Sequence, residues 1–288
     1  LTLGAGAATP ISLTTVTGPS SGTANLTFDT TGAITVSGAV GTNIGTITIT
    51  NSGGTTFSST VGAATVTLTN TTGTITFNGN LTLSSGLTAS AAAYNVAING
   101  STNTIAGTTT FANTGTVALG NGSDTINFTG GVVATAPSAV SVNGTVTAAG
   151  TGVITLGDSD TGVTVGGSST IGGTSTGAIT LGAATLADGV TLTVGTGIAN
   201  AISLSSITGT AGSTASNLTI NTTGAVTVGG AVGTDIGTLT ITNSGGTTFS
   251  GAVDAATVTI TSTSLNNAVT FNGNLTLGTG LTVGAGAA

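Results

Sequence analysis

The residues able to do acid–base or metal chemistry in this chain are seven aspartates, Asp29, Asp124, Asp158, Asp160, Asp188, Asp235 and Asp254. No Glu, His, Lys, Arg or Cys accompanies them. A hydroxyl becomes a nucleophile only beside a base, and charge developing in a transition state needs a cation or an oriented set of donors. Side-chain bases other than carboxylates and all cationic side chains are missing, so hydrolytic and transfer chemistry lack their usual parts. Two carboxylates at a defined separation would serve for glycoside cleavage. The one close pair, Asp158 and Asp160, sits in a Gly-Asp-Ser-Asp turn, where Asp ordinarily caps its own backbone. Calcium is the more serious option. Gly120 to Ile126, GNGSDTI, is similar to half of the glycine-rich nonapeptide of Ca2+-binding β-rolls. Those sites complete their oxygen shell from consecutive repeats, and none follows. No catalytic, cofactor-binding or metal residue is therefore assigned, an enzyme is not expected, and Ca2+ is the only ion left open.

Composition narrows the partners. The 288 residues include 50 Gly, charged residues are 2%, and the net charge is −7 with no Lys or Arg. Without a cation the chain cannot neutralise phosphates, which excludes nucleic-acid recognition and contact with anionic lipid. No apolar run approaches the roughly 18 residues a spanning helix needs, so membrane insertion is not expected. A mean hydropathy of +0.54 with so little charge opposes disorder. Ten Asn-X-Ser/Thr triplets occur, among them Asn25, Asn80, Asn217 and Asn274, as expected for a chain rich in Asn and Thr.

The elements that position these residues are short alternating segments. Within Gly45 to Leu83, Ile47/Ile49 and Val66/Leu68 lie 19 residues apart. Leu26/Phe28 precede Ile47/Ile49 by 21, and Val36 precedes Phe57 by 21. A unit recurring every ~20 residues, with apolar and Thr residues alternating inside it, marks a coil-upon-coil repeat. The alternation places Ile47 and Ile49 on one face and Thr46, Thr48 and Thr50 on the other. We expect an all-β, single-chain parallel β-solenoid (β-helix) in which Ile47 lies over Val66 and Ile49 over Leu68. With ~20 residues per coil and ~4.8 Å per rung, the chain makes roughly 14 coils and a rod of about 65–70 Å. An array of small β-sandwiches is the competing architecture, and it normally buries a Trp, which this chain lacks. Identical charges stacked at every rung would repel, whereas Thr and Asn can hydrogen-bond along a stack, which accounts for the composition.

The whole span 1–288 reads as one solenoid with an internal duplication, 1–83 and 192–277, around a divergent segment, 84–191. Leu218 to Val258 repeats Leu26 to Val66 at an offset of 192, with 32 of 41 positions identical. Apolar positions stay apolar, as in Ile47 to Leu239. The charges move: Asp29 corresponds to Asn221, Asn43 to Asp235 and Gly62 to Asp254. In the divergent segment the apolar pairs continue, for example Val96/Ile98, Val140/Val142 and Ile179/Leu181, and Gly130 to Ala139 reads as an irregular corner around Pro137. Leu281 to Ala288, LTVGAGAA, repeats Leu1 to Ala8, LTLGAGAA. With Leu1 in place of a start Met, we expect an excerpt of a longer chain.

The Gly/Thr/Asn/Val composition, motifs such as GTITITNSGGTTFS and TFNGNLTL, and the long duplications resemble the β-strand repeat regions of giant bacterial surface and secreted proteins. These are filamentous-haemagglutinin-like adhesins, autotransporter passengers, and surface-layer or sheath proteins. The resemblance implies an extracellular or cell-surface structural element and transfers no active residue. An uncapped solenoid exposes unpaired strand edges at both ends. A head-to-tail contact between them does not close on itself, so the expected partner is a further copy in a homopolymer, or a continuation of the same chain. The alternative is the rigid stalk of an adhesin, its Thr/Asn surface making weak glycan contacts. A third reading takes the Thr-X-Thr runs, such as Thr46/Thr48/Thr50 and Thr257/Thr259/Thr261, as an ice-binding ladder. That reading requires the ladder on nearly every coil, and Ser84 to Ala187 shows little of the run.

Overall fold

In the computed structural model, residues 1–20, 22–264 and 267–286 are described. The strands form one parallel sheet wound into a β-solenoid of about 13 turns of about 22 residues, without helix among the described residues. The rod is therefore about 60 Å long at ~4.8 Å per rung. The expected architecture holds. Coils are slightly longer than the motif spacing alone implies because corner loops differ, so vertical neighbours lie from 19 residues apart (Ile47 and Val66) to 26 (Leu192 and Leu218).

Each coil contributes to three strand ladders, which we number as faces. Face 1 starts at Thr2–Gly4, stacks Ala24–Asp29 upon it, and ends at Val269–Phe271. Face 2 starts at Ile11–Leu13, stacks Ile34–Val36 next, and ends on the first part of Leu275–Gly286. Face 3 starts with the bridge from Val16 to Val40 and ends on the second part of Leu275–Gly286. Several strands turn a corner without interruption, as Val40–Asn51 and Thr116–Phe128 do. Ile47 does lie over Val66 and Ile49 over Leu68, and all four are fully buried.

The inward residues form a single apolar cluster from Leu26 to Ile260. The pairs read in the divergent segment belong to it: Val96/Ile98, Val140/Val142 and Ile179/Leu181 are all buried. Within Gly130 to Ala139 the irregular part is shorter than expected. Gly131–Ala134 is a strand of face 1, and only the stretch around Pro137 leaves the ladder.

The duplication holds a feature that its offset does not disclose. Leu26 belongs to face 1 of the second coil, but its counterpart Leu218 belongs to face 3 of the tenth. Ile34 on face 2 likewise corresponds to Val226 on face 1. Two nearly identical stretches thus fold alike on faces one third of a turn apart. Each strand answers to the rung below it, and the three faces are interchangeable hosts. The stacked ring pair travels with its sequence. Phe57 and Phe77 lie on face 2 with centroids 5.1 Å apart, and Phe249 and Phe271 lie on face 1 at 5.0 Å.

Candidate functional site

The carboxylates are dispersed around the rod and used locally. Asp158 Oδ1 accepts the N–H groups of Asp160 and Thr161, each at 2.9 Å, which closes the turn that carries the Asp158/Asp160 pair. Asp124 Oδ2 accepts the N–H of Asn121 at 2.8 Å, so the GNGSDTI segment is tied by its own aspartate. Asp188 accepts the N–H of Thr214 at 3.0 Å and that of Ser213 at 3.3 Å, bracing a corner loop of the coil above. Asp235 shows what duplication changed. Its counterpart Asn43 donates to the Gly18 carbonyl at 3.1 Å, whereas a carboxylate has nothing to donate, and Asp235 Oδ2 is buried without a partner. Among the described residues no group of three or more Asp, Glu, His or Cys could hold a metal ion.

Charge is distributed unevenly. Asp254 lies on face 2, Asp158 and Asp160 at its corner with face 1, and Asp124, Asp188 and Asp235 at its corner with face 3. Asp29 ends a strand of face 1. On the face 3 ladder the one carboxylate is Asp124, which begins its strand opposite Gly144 and is 8% exposed.

The outward hydroxyls form longer ladders than the sequence discloses. On face 1 one column runs Thr2, Thr27, Thr48, Thr67, Thr88, Thr110, Val133, Thr155, Thr180, Ser203, Thr227, Thr248 and Thr270, with Val133 its only residue lacking a hydroxyl. On face 3 an unbroken column runs Thr102, Thr125, Thr145, Thr170, Thr193, Thr219, Thr240, Thr259 and Thr282. Both cross the segment where Thr-X-Thr runs are sparse, which corrects the expectation that the ladder lapses there. The run is sparse because single threonines, one per coil, are enough to continue a column.

Asparagine works in two ways. Carboxamides stack along the rod from Asn70 to Asn51 at 3.4 Å and from Asn99 to Asn78 at 3.1 Å, as amide ladders do, and Asn51 donates in turn to the Asp29 carboxylate at 3.3 Å. Elsewhere the carboxamide oxygen stands in for a missing ladder carbonyl. Asn25, Asn80 and Asn217 accept the N–H groups of Thr46, Thr102 and Thr238 at 2.9–3.1 Å. Three of the Asn-Leu-Thr triplets thereby have a structural use.

Sequence reasoning missed the buried polar corner. Thr30, Ser52, Thr71, Asn113 and Thr161 are buried where face 1 turns into face 2. Ser175, Asn200, Thr222 and Ser244 are buried where face 3 turns into face 1, which is the same device one face round. Thr222 Oγ1 lies 2.8 Å from the Ile198 carbonyl and 2.6 Å from that of Asn200, and it accepts the N–H of Gly224 at 2.9 Å. Thr30 and Ser175 bind the carbonyls of the coil below in the same way. The signal available in the sequence is a polar residue two before a glycine, as in Thr30-Thr31-Gly32, Ser175-Thr176-Gly177 and Thr222-Thr223-Gly224. We expect Thr222→Val to cost about 1–3 kcal/mol by leaving buried carbonyls without a donor. Thr240→Val, on the outward column, should stay within about 0.5 kcal/mol. Urea unfolding of both variants measures the contrast.

One open hollow of about 290 Å³ lies on face 3 near the N-terminal end, beside Val40, Gly41, Thr42, Val61, Gly62 and Thr82. Gly62 stands there in the column that Thr82 continues. No charged or aromatic group lines it. Tyr94, the single tyrosine, is buried, and burial pushes its hydroxyl up from the usual phenol value. No helix among the described residues is long and apolar enough to cross a membrane. We found no match to the chain among protein-family models, curated proteins or solved structures.

Proposed function

We propose that this chain is a structural unit of an extracellular fibre, sheath or surface-layer filament, extended by coils stacking end to end. Stacking joins separate copies or successive stretches of a longer chain. The observation that carries the reading is the one-face rotation of the duplicated sequence. A ladder that accepts the same strands on any face, eight and two-thirds coils further on, imposes no special requirement on the coil that comes next. Any coil with the alternation can template another.

End-to-end stacking would cover apolar residues of the end coils. Of the five exposed large apolar residues among those described, Leu1, Leu275, Leu281 and Val283 lie on the first and last coils. Leu281 and Val283 continue the inward columns of Val258 and Ile260, yet they are 49% and 55% exposed because no rung covers them. A second copy set on that end in register brings its Leu3 over Phe271 and its Ile11 over Leu275.

The test is assembly of the purified chain by electron microscopy. Wild type should form filaments several times longer than one rod. Leu281→Lys with Val283→Lys should reduce them to rods of about 60 Å, because each junction would bury two charges without partners. Chelator should leave wild-type filaments intact, since their contacts are backbone and apolar. Filaments undisturbed by the two lysines would overturn end-to-end stacking, and disassembly in chelator would transfer the junction to a bound divalent cation.

A further inference from the structure

We infer that face 3 is a lateral docking surface for a second copy of this chain, two rods lying face 3 against face 3. The inference goes beyond end-to-end stacking, because it concerns the flank of the rod and holds for a single unit.

Three observations converge on this face. The first is the unbroken threonine column from Thr102 to Thr282, nine coils without a substitution, each residue outward and half-buried or exposed. The second is charge. Asp124, the one carboxylate that pairs within the face 3 ladder, is 8% exposed. Asp188 and Asp235 stand at the corner with face 2, and the other four lie away from face 3, so the outward positions beside the threonine column carry no charge. The third is bulk. Positions flanking the column on the same strands are small or short and polar, such as Thr191, Asn217, Thr238, Asn127, Thr147 and Gly172.

An uncharged surface with one methyl and one hydroxyl per rung suits a partner of the same period. A second copy has that period by construction. Like side chains spaced at ~4.8 Å on two opposed sheets interdigitate as they do in paired cross-β sheets. The size is sufficient. Nine rungs by three outward positions span about 40 Å by 13 Å, which removes on the order of 1,000 Å² from water over both partners, the lower bound for a specific interface. Because the same patch serves both rods, the contact is isologous and closes at a pair. The other faces are less suited. Face 2 would bring Asp254 against its own copy, and face 1 carries Asp29 and interrupts its column at Val133.

The experiment compares three full-length proteins by analytical ultracentrifugation and by rod width in electron micrographs, with circular dichroism confirming strand content. Wild type should sediment as an even number of copies and form structures two rods wide. Thr193→Lys with Thr240→Lys, two coils apart on face 3, should halve the mass at fixed length and give single-rod width. Thr164→Lys with Thr208→Lys, equally spaced on face 2, adds the same charge and should leave pairing intact. Loss of end-to-end stacking would change length and not width, so the two readings fail separately. Wild type of single-rod width, or equal behaviour of the face 2 and face 3 variants, overturns the inference. So does ice-crystal shaping that only the face 3 variant loses with no change in mass, which would give the ladder to ordered water.

Discussion

Phe77→Ala is expected to destabilise the rod by about 3–5 kcal/mol, near the top of the range for a truncated core aromatic. Phe77 is fully buried and stacks on Phe57 with ring planes 1° apart. Its column runs from Val36 through Phe57 and Phe77 to Ile98, one side chain per rung. A thin interior offers few neighbours able to move into the space, because each side chain is held by the backbone ladder above and below it. The damage should be local, since each coil touches only the next. Hydrogen exchange should quicken in the coils around Thr56, Thr76 and Ala97 and stay near wild type around Thr193 and Thr219. Loss below about 1 kcal/mol, or exchange raised evenly along the chain, would contradict an interior built of single stacked side chains.

Gly224→Ala is expected to cost a comparable amount for a different reason. Its backbone angle is ordinary, but a Cβ there would overlap the carbonyl of Asn200 in the coil below. The obstacle is backbone, so no rotamer relieves it, and the rungs would have to part at the corner where Thr222 bonds to Ile198 and Asn200. Gly122→Ala supplies the control. A Cβ at Gly122 meets nothing within 4 Å, so the change should be neutral or stabilise by about 0.4–1 kcal/mol through the unfolded chain. Thermal unfolding of the two variants side by side measures the difference. Equal melting temperatures would mean that the corner approach is looser than described.

The coil register was legible because it is written in side chains that alternate. Ile47 over Val66 and Val61 over Leu81 follow from spacing and from the need to keep apolar residues inside. Two features were not legible. The face on which a strand lies depends on the summed lengths of all preceding coils, and those lengths vary by several residues at the corners. An offset of 192 therefore identifies the copy without disclosing that Leu218 stands one face round from Leu26. The same variation hid the threonine columns. Thr88 and Thr110 are vertical neighbours, yet they share no local motif.

The buried polar corner was hidden for a chemical reason. Serine and threonine are so frequent here that one more in a turn draws no notice. What distinguishes Thr222 from Thr219, three residues earlier, is which way the backbone aims it. Thr219 sits on the outward column, while Thr222 turns inward at the corner and finds two carbonyls of the coil below. The aspartates illustrate the converse. They drew attention as the only titratable carboxylates, and the geometry uses Asp158, Asp124 and Asp188 to hold turns and loops.

The most direct test of the account is cryo-electron microscopy of the assembled protein at a resolution that separates rungs. The account predicts strands perpendicular to the filament axis at ~4.8 Å, three per turn, with the spacing unbroken where one copy's Thr270 meets the next copy's Thr2. Rods with a gap or an unrelated contact at every thirteenth coil, or particles that never join, would contradict it.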